Sequence, residues 1–507
     1  MSPRSPLKFD SWTSRIGRAV FTRLKRLTSA AGAGRDVMLL SGSTGLGQLL
    51  VLLTSPILTR LYDPEDFGVL GVVSSLLGII SVVASLRYEL AIPLPDEDTE
   101  ATRVLFVATA AVLVVSSTSA IAISLYGDKW GNLVNIPPKF LWFLPIGVFL
   151  VGLYQVFYYR SVRARAFGTI AATRLSQSAT MVGMQLALSG FGSFGLITGH
   201  LLGQMAGLTS LVRKAVQEGI FRIGSFSIPG MIAAARRYRR FPLASTWEGL
   251  LNALGTQFPP LVMTALFGPA AAGVYVFAVK VSQAPMQLIS KAIGDVFFSH
   301  AAVAHREGRL GKAVKDTTER LIAVALPPLF LLGVAAPEMF AVVFGETWRE
   351  AGVIVRYLVP WLLLVFVASP LTLIFSIMEK QAQGALFQAL LLIARVVALV
   401  LGARIGEFKV AVLVYSLTSA LCWTGFLVWS MGASGNSISS LFRPCVDVVG
   451  RLAPSLLVLL IGAALTSLRG TDGPVLISVV IAGFWMVRYY WLLTNTFFRT
   501  TEQLTSN

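Results

Sequence analysis

Between Gly273 and Phe298 the chain reads GVYVFAVKVSQAPMQLISKAIGDVFF, long and apolar enough to cross a bilayer as one helix, yet charged. At about 100° per residue, Lys280, Gln283, Gln287, Lys291 and Asp295 fall in one sector about 120° wide, and Val276, Phe277, Val281, Ile289 and Val296 mostly take the rest. Lys280 and Asp295 are fifteen residues apart, about 22 Å along a helix axis, so the polar stripe covers most of the hydrocarbon depth. Ammonium groups at that depth cost several kcal/mol against lipid, so the stripe must meet a hydrated cavity or a packed interface. Lys291 and Asp295, at i and i+4, can pair with each other. Lys280 has no carboxylate at i±3 or i±4 and is the better candidate for a ligand contact.

Other apolar runs carry chemistry of the same kind. Ser41, Thr44, Gln48, Ser55 and Thr59 share one face of the first run, and Ser245, Glu248, Asn252 and Thr256 share one face of the seventh. Both sets are expected to face a central cleft, with helix-helix hydrogen bonding the plainer role for the uncharged groups. Glu248 and Asp295 are the candidates for carrying a coupling ion, although Glu248 could equally neutralise a lysine. Arg395, with Gln388 on its face, sits mid-span in LLLIARVVALVL and calls for a counter-charge or an anionic ligand. Arg87 and Glu89 lie near the cytoplasmic end of the second run; on a helix they would point apart and not pair, and anchoring at headgroup level is their simplest role. His200 and Gln204 share a face of the sixth run, where a lone histidine is a structural hydrogen bonder more often than a proton relay. No nucleophile with its base, phosphate-cradling glycine loop or metal-ligand cluster stands out, and Cys422 and Cys445 form no paired framework, so neither enzyme nor cofactor is expected.

The elements that must position these groups are membrane helices. The 507 residues are 55% hydrophobic and only 13% charged, with mean hydropathy +0.72, which defines an all-α integral membrane protein. Apolar runs predict fourteen spanning helices, the second over 68–92 and the seventh and eighth over 242–267 and 273–298. The net charge of +17 sits in short connectors, where positive-inside topology accounts for it and nucleic acid need not. Arg160, Arg163, Arg165 and Arg174, the ARRYRR run and the group from Arg306 to Arg320 fall on one side, which puts both termini in the cytoplasm. Residues 1–37 form a basic, interfacial segment; 38–213 and 242–430 make two six-helix bundles, 214–241 a basic interfacial linker, and 431–507 two further spans and a tail.

The halves are related by a repeat. Thr59 to Val69 and Thr264 to Val274 both read T-x-L-aromatic-x-P-x-x-x-G-V, offset by 205 residues. Pro64 and Pro269 can set the turn between helices, and Gly68 and Gly273 allow a tight entry to the next span. Six spans separate the copies, so the halves share orientation about an axis along the membrane normal.

In TRLYDPEDFGVLGVVSSLLGIISVVASLRYELAIPLPDED, with Pro64, Phe67, Gly68, Arg87, Tyr88, Glu89, Leu94 and Pro95, the chain resembles the Wzx-type polysaccharide-unit flippases of the multidrug/oligosaccharidyl-lipid/polysaccharide exporter superfamily. The likeness continues in FPLASTWEGLLNALGTQFPPLVMTALFGPAAAGVYVFAVKV and spans about 38–430. The resemblance implies two six-helix bundles set as a V around a central cavity, and movement of undecaprenyl-diphosphate-linked oligosaccharide from the cytoplasmic to the periplasmic leaflet of the bacterial inner membrane. A polysaccharide polymerase and co-polymerase are the protein partners such a role implies. Such cargo needs a wet, cationic, hydroxyl-rich path, for which Lys280, Lys291, Arg395, Arg87, Gln283, Gln287, Gln48 and Asn252 are the expected contacts. A lipid II flippase is a close alternative; a cation-coupled drug exporter would need a more acidic cavity, and a polymerase a larger outer loop.

Overall fold

The computed structural model describes residues 33–219, 227–437, 439–469 and 471–505. Most of the basic N-terminal segment and part of the expected linker therefore lie outside the described residues. Every regular element among the described residues is helical. The first half comprises α1 (Ala33–Leu61), α2 (Pro64–Val83), α3 (Asp98–Leu133), α4 (Phe143–Arg163), α5 (Phe167–Ala187) and α6 (Ser193–Gln217), followed by the short amphipathic α7 (Ile228–Arg237). The second half opens with α8 (Thr246–Arg306) and continues through α9 (Leu310–Phe344), α10 (Arg349–Ala368), α11 (Gln381–Arg404) and α12 (Phe408–Ala433). A last pair, α13 (Ser439–Arg469) and α14 (Gly473–Thr505), packs on α9, where Tyr489 and Tyr490 donate to the carbonyls of Ala323 and Val324.

Eleven of these helices are long and apolar enough to cross a membrane, against fourteen expected. Two differences account for the gap. Helices α5 and α6 have 21 and 25 residues, long enough to span, but their polar residues keep them below the apolarity of a lipid-facing helix. The expected seventh and eighth spans form one 61-residue element, about three times the length that one crossing of a bilayer needs. It is broken at Gly268, whose φ of 86° and ψ of 169° lie outside the helical region. Only glycine holds that geometry without strain, so α8 behaves as two limbs, 246–267 and 269–306.

The repeat has a different physical meaning from the one expected. Its two copies pack on each other: a Cβ on Gly68 would overlap the Pro269 carbonyl oxygen and lie 2.6 Å from the carbonyl carbon. A Cβ on Gly273 would overlap the Pro64 carbonyl oxygen and lie 2.7 Å from the Gly68 amide nitrogen. The glycines let two backbones touch across the pseudo-symmetry axis, the use small residues have where membrane helices cross. Gly71 continues the seam against Val276, and Gly78 against Gln257, making α2 on α8 the most extensive contact between the halves. At its Gly68 end Trp348 is fully buried, donates from Nε1 to the Thr59 carbonyl at 2.9 Å, and packs on Phe67 and Phe277 with ring centroids 5.0 and 4.4 Å away. Nearby, Arg349 bridges Glu346 and Asp472.

The second run also departs from expectation. Helix α2 ends at Val83, and Leu86 and Arg87 then take left-handed φ of 51° and 61° before a 3-10 turn, Tyr88–Ala91. Arg87 and Glu89 are thus not two positions on a helix. The turn folds them together, with Arg87 Nη1 3.7 Å from Glu89 Oε1.

Candidate functional site

Between the halves lies a cavity of about 440 Å³ lined by α1, α5, α6 and the second limb of α8. Helix α1 contributes Thr44, Gln48 and Ser55, the polar face expected from its spacing. Gly47 lets α1 approach α5 closely, since a Cβ there would sit 2.7 Å from Ser178 Oγ. The α8 limb contributes Lys280, Gln283 and Gln287, α5 contributes Arg174, Gln177 and Ser178, and α6 contributes His200. Leu58, Phe67 and Phe277 form apolar wall, and behind the two rings stands buried Trp348.

No Asp or Glu lines this cavity among the described residues, whereas Lys280 and Arg174 both do. Arg174 lies over the rings of Tyr154 and Tyr158, 5.7 and 5.9 Å from their centroids, which steadies the guanidinium without cancelling its charge. The amides are partly paired: Gln287 Nε2 donates to Gln283 Oε1 at 3.2 Å, and Gln177 Nε2 to Gln204 Oε1 at 3.1 Å. Gln48 Oε1 is buried with no hydrogen-bond partner. Two cations and a ring of amides and hydroxyls can hold an anion and exchange hydrogen bonds with neutral hydroxyls.

Of the residues expected to meet cargo, Lys280, Gln283, Gln287 and Gln48 share this cavity. The others stand elsewhere. Lys291 is exposed and does not line it, and the Asp295 side chain lies outside the described residues, so their pairing does too. Glu248 and Asn252 are exposed on the first limb of α8. Symmetry suggested that their face would mirror that of α1, but neither residue lines the cavity, and α2 packs on this limb through Gln257 against Gly78. Arg87 packs on Gly249 of that limb, and Arg395 lies inside the second half.

Arg395 is 9% exposed and, among the described residues, meets neither a carboxylate nor the cavity. Its Nε donates to Ser419 Oγ at 3.1 Å, and its guanidinium lies 5.5 and 5.6 Å from the ring centroids of Trp361 and Tyr415. This is packing between α10, α11 and α12. Arg395→Met is expected to lower stability by about 1–3 kcal/mol through the lost hydrogen bond and cation–π contacts, and to leave transport per folded molecule unchanged. Thermal unfolding in detergent alongside transport normalised to folded protein checks both halves of that expectation.

Sequence reasoning did not place Arg174, Gln177, Ser178 and His200 at the site. The signal for α5 was present: Arg174, Gln177 and Ser178 recur at i, i+3 and i+4, one polar face of the most polar pair of spans. Positive-inside topology accounts for Arg174 and helix packing for His200, so neither residue type by itself points to the cavity.

This architecture, two helical halves enclosing a polar cavity across a pseudo-symmetric seam, defines a multi-pass helical membrane protein. Residues 57–353, more than half of the chain, match the family model described as "Polysaccharide biosynthesis protein", and the chain belongs to that family. It is 24% identical over 331 residues to the succinoglycan biosynthesis transport protein ExoT of Rhizobium meliloti (strain 1021). That match covers 64% of each chain, slightly under two thirds of the relative's length. Among solved structures, lipid II flippase MurJ in an inward closed conformation superposes with TM-score 0.71 at 10% identity, covering 91% of this chain and all of that one. An inward-facing multidrug resistance MATE transporter superposes with TM-score 0.61 at 14% identity, covering 78% and 96%. Both likenesses show the fold alone.

Proposed function

We propose that this protein flips an undecaprenyl-diphosphate-linked oligosaccharide from the cytoplasmic to the periplasmic leaflet of a bacterial inner membrane for surface polysaccharide assembly. The observation that carries this reading is the cavity with Lys280 and Arg174 and without a carboxylate. A diphosphate is drawn to two cations in a low-dielectric setting, and sugar hydroxyls suit Gln48, Gln283 and Gln287. A cationic drug would meet like charge there, which weighs against a drug exporter. Membership of the polysaccharide family and the likeness to a succinoglycan transport protein favour polysaccharide units over lipid II.

In this reading α8 crosses twice and α5 and α6 cross within the protein, making fourteen passes with both ends cytoplasmic. The two halves, 38–213 and 242–430, close on the outer side around Trp348 and the glycine seam. The undecaprenyl tail stays in lipid while the diphosphate and its sugars enter the cavity. Deleting the gene and assaying which leaflet holds the lipid-linked unit tests the proposal. Retention on the inner leaflet is the expected result; unpolymerised units accessible from outside would instead point to a polymerase.

A further inference from the structure

Sequence spacing offered Glu248 and Asp295 as carriers of a coupling ion, but a different carboxylate has the surroundings for that work. Glu89 is 1% exposed and is the only buried Asp or Glu among the described residues. It sits in the 3-10 turn after α2, outside the spanning helices, where it accepts a hydrogen bond from Ser85 Oγ and faces Arg87. Burial pushes its carboxyl above the usual range, while Ser85 and Arg87 pull the other way.

The same turn touches the second half. Arg87 lies on the backbone of Gly249, where any Cβ would collide with its guanidinium, and its Nε is buried with no hydrogen-bond partner. The turn packs on Phe241–Ser245, a π-helical segment at the start of α8. Two irregular segments therefore meet here: consecutive left-handed non-glycine residues, Leu86 and Arg87, and a π turn. Both kinds of local strain concentrate where structures must rearrange.

We propose that Glu89 binds a proton during the transport cycle. The carboxylate takes it from cytoplasmic water and becomes neutral. Arg87 keeps its charge but loses its partner, and the contact between the turn and Gly249 loosens, freeing the inner end of α8 from the first half. The group's other neighbours leave Glu89 as the titrating site. Tyr159 of α4 faces it, the π turn brings no ionisable side chain, and on α3 Glu100 is held by Arg237 and Arg103 lies against Gly230. The inference rests on the flippase reading, since it supplies that cycle with its proton.

The test needs no cargo. Spin labels at Ala164→Cys and Lys312→Cys, exposed at the inner ends of α4 and α9, are placed in the full chain carrying Cys422→Ser and Cys445→Ser, in lipid nanodiscs. The interlabel distance is measured from about pH 5 to about pH 9, a range wide enough to include a carboxyl raised by burial. The distance is expected to titrate in the otherwise unaltered chain, to stay at its acidic value at every pH in Glu89→Gln, and to titrate again in Glu89→Asp. Gly249→Leu, which displaces Arg87 with Glu89 intact, is expected to hold the acidic distance throughout. A Glu89→Gln protein that titrates like its parent, or a Gly249→Leu protein that does not shift, overturns the inference and leaves the leaflet assay to judge transport separately.

Discussion

Replacing Gly68 or Gly273 by alanine is expected to destabilise the protein by about 3 kcal/mol or more, at the upper end of what overpacking costs. The reason is the identity of the atoms in the way. A Cβ on either residue overlaps a backbone carbonyl oxygen of the opposite half, whereas even a C–H···O contact needs about 3.3 Å. No rotamer change relieves a clash with backbone, so the halves must separate along the whole α2–α8 seam. Gly71→Ala meets only the Val276 side chain, 2.9 Å away, and should be milder. Gly42→Ala meets nothing within 4 Å and should be neutral or gain up to about 1 kcal/mol of helix propensity. The double variant Gly68→Ala, Gly273→Ala should cost less than the sum of its parts, because one separation accommodates both methyls. Yield of folded protein and thermal midpoint across this series decide the matter. A Gly68→Ala protein as stable as Gly42→Ala would mean that the seam is not a fixed contact of the folded state.

Lys280→Ala is expected to cut transport by roughly 10- to 100-fold with little change in folded yield. A hydrogen bond to a charged group is worth about 1.5–3 kcal/mol, and each 1.4 kcal/mol is about a factor of ten. Folded yield should hold because, among the described residues, no carboxylate lines the cavity to be stranded by the change; removing one member of a buried ion pair would cost far more. Lys280→Arg should keep part of the activity, since charge survives while reach and shape change. Arg174→Gln should lower transport too, but with some loss of stability, because Arg174 also packs on Tyr154 and Tyr158. For the proposed flippase activity, the readout is the rate at which lipid-linked sugar becomes accessible on the outer leaflet, normalised to protein in the membrane. Normal rates for Lys280→Ala would remove the lysine from the mechanism.

Much of this molecule was legible in its residues one segment at a time. Mean hydropathy and the length of apolar runs determined a helical membrane protein, because a backbone in lipid must satisfy its own hydrogen bonds. The duplicated turn revealed the two halves. The 3.6-residue period put Lys280, Gln283 and Gln287 on one face, and Thr44, Gln48 and Ser55 on another, and both faces line the cavity. Helical periodicity, however, says which residues share a face and not what that face meets. Glu248 and Asn252 share as good a stripe as Gln48, yet neither lines the cavity that α1 reaches. Arg395 found aromatic rings where an anion had been expected. Arg87 and Glu89 pair because two left-handed residues end the helix that hydropathy extended through them. The glycines of the repeat acquired their reason only when copies 205 residues apart came into backbone contact. Hydropathy and spacing are local, and so they fixed the helices and their polar faces. The neighbours of each face come from distant parts of the chain, and so the cavity, its charge and the seam that closes it were decided by packing.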